Sequence, residues 1–85
     1  MDKTIIFTNH ALTRIAKRGT TQEEVAETIE LGKRETAKEN KLMCRLNFPY
    51  NKIWIDTSYP IKQVAPIIVE EGDEIIVITV YTFYF

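Results

Sequence analysis

The chain has 85 residues, of which 45% are hydrophobic and 27% are charged, and its formal net charge is −1. This length and composition predict one globular domain over residues 1–85 and argue against a disordered chain. The near-neutral charge argues against a general polyanion binder. The longest apolar run, 75–80, is too short to cross a bilayer.

The charges are nevertheless divided into blocks along the chain. Residues 1–18 hold four basic and one acidic side chain, and residues 19–32 hold four acidic and no basic ones. Residues 33–62 hold seven basic and three acidic side chains, and residues 63–85 hold four acidic and no basic ones. Such a chain presents a basic face if its positive segments meet in the fold. The first residues lack the features of a signal peptide, so we expect a cytoplasmic protein with no membrane association.

A first helix is predicted near the start of the chain. Residues 3–7 are a short strand or a lead-in, and Thr8 or Asn9 is a suitable cap. The helix then covers about His10 to Arg18. Gly19 is well placed to end it in the left-handed conformation.

A second helix is predicted by a capping box, with Thr21 as the cap and Glu24 three residues later. It covers about Gln22 to Leu31 and ends at Gly32. Its charged side chains are all acidic: Glu23, Glu24, Glu27 and Glu30. Two helices joined at Gly19 are typical of a helix-turn-helix, but four carboxylates facing DNA phosphates argue against such a reader.

The pattern changes from helix to strand after Gly32. Residues 33–40 are an edge strand or a loop, and strands are predicted over 42–48, 52–56, 63–70 and 74–83. Turns are predicted at 49–51, 58–60 and 71–73, the last as a tight hairpin. This order predicts an α+β fold in which two N-terminal helices pack on one face of an antiparallel sheet of about four strands.

One face of the first helix combines a histidine with cations. His10, Arg14 and Lys17 share this face because helical residues three and four apart are neighbours, and Arg18 lies at its edge. Histidine transfers protons near neutral pH, and the planar arginine fork matches a phosphate. Together they suit metal-independent phosphodiester chemistry. The alternative is a solvated basic face on which His10 only helps to start the helix.

The last predicted strand offers a second group of side chains. Thr79 and Tyr81 are two residues apart and share a strand face, where they can bind phosphate or stack a base. The alternative is that these two residues are part of an ordinary β-strand and have no binding role. Alternation places Val77 and Phe83 on the same face, and Ile76, Ile78 and Val80 against the helices. The aromatic segment 81–85 is core, a dimer contact or a stacking surface.

Other polar and aromatic residues also have two interpretations. Trp54, with Tyr50 and Tyr59, is a binding platform or closes the end of a small core. Arg45 and Lys52 extend the basic face or protect an edge strand.

Metal ligands and cofactors are not indicated by the sequence. One histidine, one cysteine and scattered carboxylates give no ligand spacing, so we expect no metal and no cofactor. A single cysteine, Cys44, excludes an internal disulfide. A catalytic thiol needs a nearby base, so a buried and inert Cys44 is the favoured interpretation.

The N-terminal third carries a longer motif, Phe7-Thr-Asn-His10-Ala11-x-x-Arg14-x-x-x-Arg18-Gly19, followed by Thr21-x-x-Glu24-Val25. It resembles a family of small bacterial domains of unknown function that closes on a strand similar to Ile78-Thr79-Val80-Tyr81. The likeness covers residues 7–31 and 75–81 and leaves the middle of the chain unmatched. That family is placed with the barnase, EndoU, colicin and RelE group of metal-independent ribonucleases, many of which are toxins.

The resemblance implies a helical pair against an antiparallel sheet and cleavage of RNA by its own 2′-hydroxyl. His10 would transfer the proton, and Arg14 and Arg18 would hold the scissile phosphate. Thr79 and Tyr81 would lie opposite them on the last strand.

Lys17 and Arg45 are the additional candidate contacts to substrate. Thr20 departs from the family pattern, which has Ile or Val there, and this bears on packing more than on chemistry. The implied partners are RNA and an antitoxin or immunity protein, and the sequence does not indicate an oligomeric state. The alternative function is a non-catalytic module on the same fold that binds protein or nucleic acid.

Overall fold

A computed structural model describes residues 3–85, which contain two helices and five strands in an α+β arrangement. The helices are α1 (Asn9–Arg18) and α2 (Gln22–Leu31). The strands are β1 (Thr4–Phe7), β2 (Lys33–Thr36), β3 (Leu42–Trp54), β4 (Thr57–Glu71) and β5 (Glu74–Tyr84). The predicted α+β class with two N-terminal helices is confirmed.

The strands form one mixed sheet in the order β1-β5-β4-β3-β2. β1 is parallel to β5, whereas the other neighbouring pairs are antiparallel. The prediction of about four antiparallel strands is therefore corrected to five strands with one parallel pair. The difference arises because residues 4–7 pair with the free edge of β5, and residues 33–36 form the opposite edge strand.

Both helices begin and end where local signals predict. The Thr8 hydroxyl oxygen accepts a hydrogen bond from the Ala11 N–H at 3.1 Å, and Gly19 ends α1 with φ of 76°. The Thr21 hydroxyl oxygen accepts from the Glu24 N–H at 3.1 Å at the start of α2. Neither helix in residues 3–85 has the length and apolar run needed to cross a bilayer.

The core lies between the helices and one face of the sheet. α1 contributes Ala11 and Ile15, and α2 contributes Val25 and Ile29. The sheet contributes Cys44, Val64, Ile68, Ile75, Val77 and Val80. Cys44 is fully buried, as predicted, and burial raises the pKa of its thiol.

β3 and β4 form one long hairpin, which corrects the turns predicted at 49–51 and 58–60. Both segments lie within strands, and the pairing shifts register between Pro49 and Lys52. The register shift lets β3 continue through a segment that reads as a turn. The hairpin predicted at 71–73 is confirmed between β4 and β5.

The long hairpin reverses at Ile55 and Asp56, between the paired residues Trp54 and Thr57. Ile55 has φ of 59°, a conformation that β-branched residues rarely adopt. The turn contains neither glycine nor asparagine, so the usual hairpin signal is missing at these positions. We call Ile53, Trp54 and Ile55 the hairpin tip.

A β-bulge in β5 changes which side chains face the helices. Ile78 is the extra residue in the pairing of β5 with β4. Val77 and Val80 are consequently both buried in the core. The alternation prediction was therefore wrong for Ile76, Val77 and Ile78 but right for Val80. The sheet face opposite the helices carries Thr79, Tyr81 and Phe83.

Candidate functional site

α1 lies along β5 because both of its ends are bonded to that strand. At the start, the Thr8 hydroxyl donates to the Val77 carbonyl at 3.0 Å. At the end, the Arg18 carbonyl accepts hydrogen bonds from the Thr82 hydroxyl at 2.9 Å and the Tyr84 hydroxyl at 2.6 Å. These bonds bring the polar side of α1 next to the exposed side chains of β5.

His10 and Thr79 are direct neighbours across these two elements. His10 Nε2 lies 3.1 Å from Thr79 Oγ1 and 3.5 Å from Arg14 Nε. The contact with Thr79 fits either imidazole tautomer, whereas the longer contact with Arg14 is a hydrogen bond only when Nε2 accepts, because a guanidinium has no lone pair. With the proton on Nδ1, the basic nitrogen faces Thr79 and Arg14. The arrangement places a proton acceptor beside an anion-binding group.

Arg18 and Tyr81 form a second contact between α1 and β5. Arg18 Cζ lies 5.3 Å from the centroid of the Tyr81 ring, which is within cation–π range. Tyr81 is 38% exposed, so its ring also borders solvent. The structure thus brings the five predicted catalytic candidates onto one surface. We call this surface the α1–β5 face: His10, Arg14, Arg18, Thr79 and Tyr81.

The cations of α1 lack acidic partners in the part of the chain that the structure describes. None of the ion pairs within residues 3–85 involves Arg14, Lys17 or Arg18. Positive charge that is not compensated locally attracts anions. Arginine in particular donates two parallel hydrogen bonds to a phosphate. The α1–β5 face therefore has the charge and the donors to bind one.

The two predicted substrate contacts, Lys17 and Arg45, differ in this respect. Lys17 is exposed on α1. Arg45 instead donates to Glu35 at 2.7 Å and to Gln63 at 2.9 Å, so its charge is compensated within the sheet. Its Cζ also lies 5.6 Å from the Phe83 ring, on the same sheet face as Thr79 and Tyr81. Arg45 extends this surface, but with less charge available for a ligand.

The aromatic residues around Trp54 close one end of the core. The Trp54 ring stacks on Tyr84, with centroids 4.6 Å apart and planes 15° apart. Tyr50 and Tyr59 tilt against the same Tyr84 ring. Trp54 also covers Gly19, where a Cβ atom would lie 2.5 Å from the indole. The tip of the β3–β4 hairpin therefore packs against the C-terminal end of α1.

Lys62 helps to position α1, and sequence reasoning missed it. It is 6% exposed, and its Nζ donates to the Gly19 carbonyl at 2.9 Å and to Glu24 Oε1 at 2.7 Å. The Thr20 hydroxyl donates to the same carboxylate oxygen at 2.8 Å, which explains a polar residue at this buried position. We call Lys62, Glu24, Thr20 and the Gly19 carbonyl the turn anchor. No local pattern reveals a contact between residues 38 positions apart.

Comparisons of the chain with protein-family models, with curated proteins and with solved structures gave no match.

Proposed function

We propose that the protein is an endoribonuclease that cuts RNA without a metal ion. The carrying observation is that His10 Nε2 lies 3.1 Å from Thr79 Oγ1 and 3.5 Å from Arg14 Nε. These groups belong to a surface whose helical cations are free of carboxylates within residues 3–85. A proton acceptor beside phosphate ligands is what attack by a 2′-hydroxyl requires. The N-terminal motif resemblance supports the same reaction.

In the proposed reaction, His10 Nε2 takes the proton of the 2′-hydroxyl while the 2′-oxygen attacks phosphorus. The bond from phosphorus to the 5′-oxygen breaks, and that oxygen takes a proton from solvent. The products are a 2′,3′-cyclic phosphate and a 5′-hydroxyl. Arg14 and Arg18 bind the non-bridging oxygens, on which negative charge increases in the transition state. The Thr79 hydroxyl contacts the same Nε2 atom in the free protein, and the 2′-hydroxyl takes its place when RNA binds.

Tyr81 has two functions in this scheme. Its ring holds the Arg18 guanidinium through the cation–π contact at 5.3 Å. Its exposed part offers a surface on which an unpaired base can stack. Lys17 and Arg45 add contacts to RNA on either side of this group. An endoribonuclease that acts as a toxin, as many members of the resembled group do, would be neutralised by an antitoxin or immunity protein.

The alternative is a binding module without catalysis. His10 is the sole histidine of the chain, and its side-chain partners within residues 3–85 are a hydroxyl and a guanidinium. No carboxylate orients the imidazole there, as it does in many histidine-based sites. As a binding module, the protein would use the α1–β5 face to bind nucleic acid or a protein partner without cleaving it.

The test is cleavage of single-stranded RNA by the purified protein in EDTA. The wild type should cut RNA, and His10→Ala should reduce the rate at least about 100-fold because the proton acceptor is lost. Lys38→Gln, an exposed change in the turn between β2 and β3, serves as the matched control and should cut normally. Intact RNA with the wild type, for varied RNAs and for ribosomes, would leave only the binding module.

A further inference from the structure

The hairpin tip and the cations of α1 border an open pocket on the surface. Trp54 and Ile55 line it from one side, and Arg14, Lys17 and Arg18 line it from the other. Its volume is about 280 Å³. Arg14 and Arg18 belong both to this pocket and to the α1–β5 face, so the two are adjacent. We call it the tip pocket.

The tip pocket is suited to an anion. Its lining contains three cations and no carboxylate. Asp56 follows Ile55 in the chain but does not line the pocket. None of the three cations forms an ion pair elsewhere in residues 3–85. An anion placed here would therefore receive the attraction of all three charges.

The tip pocket lies toward the opposite end of α1 from His10. An α-helix rises about 1.5 Å per residue, so the Cα atom of Lys17 lies about 10 Å along α1 from that of His10. A strand that runs along α1 therefore presents successive phosphates to His10 and to Lys17, with Arg14 between them.

Ile55 indicates what else the pocket contacts. It adopts φ of 59° and is 80% exposed, so it neither favours the turn nor adds to the core. Glycine would adopt this backbone at lower cost. Strained residues of this kind cluster at functional sites. Beside it, one face of the Trp54 ring is stacked on Tyr84, and the residue is only half-buried. An apolar side chain and an indole next to three cations match a base and its phosphate.

We propose that the tip pocket is a nucleotide subsite for single-stranded RNA, next to the scissile phosphate. Lys17 binds the phosphate of the neighbouring nucleotide, and the base of that nucleotide packs against Trp54 and Ile55, while Arg14 and Arg18 hold the scissile phosphate and add their charge to the pocket. The base must be unpaired to reach the hairpin tip, so the subsite selects single strands over duplexes. The identity of the ligand as RNA rests on the proposed function.

Binding is measured with a fluorescently labelled single-stranded 2′-O-methyl RNA oligonucleotide, which cannot be cut because its 2′-hydroxyls are blocked. Lys17→Gln should raise Kd about 5-fold at low salt and reduce the slope of log K against log salt by about 0.7. Ile55→Gly should raise Kd about 5-fold through lost base contact, while glycine fits the turn and keeps the protein folded. A thermal melt of each variant checks the fold.

Two controls match these variants. Lys38→Gln removes an exposed charge outside the pocket, and Ile53→Thr changes an exposed hairpin-tip residue, 69% exposed, that does not line it. Both should bind as the wild type does. Wild-type affinity in Lys17→Gln and Ile55→Gly, equal losses in the controls, or equal affinity for a blunt duplex would each overturn the subsite, even if RNA is cleaved. Selective losses in a protein that cuts no RNA would support the subsite and overturn the nuclease.

Discussion

The buried lysine of the turn anchor and the exposed cations of α1 differ in whether an acidic partner compensates their charge. In the turn anchor, Lys62 is buried and bonded to Glu24 and to the Gly19 carbonyl. On α1, Arg14 and Lys17 have no acidic partner within residues 3–85. A charge that holds the fold is compensated, whereas the charges on the proposed RNA surface are left for a ligand.

The two tyrosines of β5 repeat this contrast on opposite faces of the sheet. The Tyr84 hydroxyl donates to the Arg18 carbonyl, and its ring is surrounded by Trp54, Tyr50 and Tyr59. Tyr81 is partly exposed and contacts the side chain of the same arginine. Arg18 is thus fixed by its backbone and remains available through its guanidinium. Variants of each group should separate stability from activity.

The largest effect on stability should come from Lys62→Met. The variant leaves the Glu24 carboxylate without its cation and frees the Gly19 carbonyl. Because Glu24 is only partly exposed, we expect a loss of about 2–3 kcal/mol in the free energy of unfolding. Urea denaturation measures it. Lys41→Met, which removes an exposed pair with Glu39, should lose less than about 0.5 kcal/mol. Equal midpoints for the two variants would contradict a structural role for the turn anchor.

Arg14→Gln should show the reverse pattern. It removes one phosphate ligand from the transition state, so the cleavage rate should fall about 100-fold. The free energy of unfolding should change by less than about 0.5 kcal/mol because the arginine has no acidic partner in the described chain. Arg14→Lys should recover part of the rate, since it keeps the charge but loses the planar fork. Single-turnover cleavage measures the rate, and urea denaturation measures the stability. A fall in both would contradict the proposed role of Arg14.

A smaller effect should separate Tyr84→Phe from Tyr81→Phe. Loss of the hydroxyl that donates to the Arg18 carbonyl at 2.6 Å should cost Tyr84→Phe about 1 kcal/mol of stability. Tyr81→Phe should cost close to nothing. Burial also raises the pKa of Tyr84 above its usual 10.0, so the folded state retains that proton more strongly than the unfolded state. This stability is present below pH 10 and is lost as the pH rises through the folded pKa. Tyr84→Phe should weaken that alkaline loss in denaturation profiles.

The smallest effect should come from Glu70→Gln, which is not part of the α1–β5 face. A hydrogen bond from Arg34 and a contact with Lys3 lower the pKa of Glu70 below its usual 4.5. Its stabilisation is present above pH 4.5 and is lost as the pH falls through the folded pKa. Because the pair is exposed, the change at neutral pH should be about 0.5 kcal/mol. An acid titration of stability that is steeper in the variant than in the wild type would contradict this assignment.

The helices were predictable because their signals are local. Thr8, Gly19 and Thr21 act on backbone groups within five residues of themselves. The sheet was less predictable, since β1 pairs with β5 across about seventy residues and no local pattern marks the bulge at Ile78. The turn at Ile55 has no recognisable signal because its residue type disfavours the conformation.

Part of the candidate site was likewise predictable from local patterns, and part depends on contacts between distant segments. Helical spacing put His10, Arg14 and Lys17 on one face, and strand alternation put Thr79 and Tyr81 together. The distance of 3.1 Å between His10 and Thr79 connects the two groups, which spacing alone does not give. The tip pocket and Lys62 depend on contacts between distant segments. Whether the five residues catalyse a reaction stays a prediction for experiment.

In the proposed reaction, the α1–β5 face directs a 2′-oxygen onto the neighbouring phosphate. The most direct measurement is mass spectrometry of the fragments from a DNA oligonucleotide that contains one ribonucleotide, cut in EDTA. We expect one cut, after the ribonucleotide, with a 2′,3′-cyclic phosphate on one fragment, a 5′-hydroxyl on the other, and no cut by His10→Ala. Cuts at deoxyribonucleotides, or fragments with a 3′-hydroxyl and a 5′-phosphate, would show that water is the nucleophile and would contradict it.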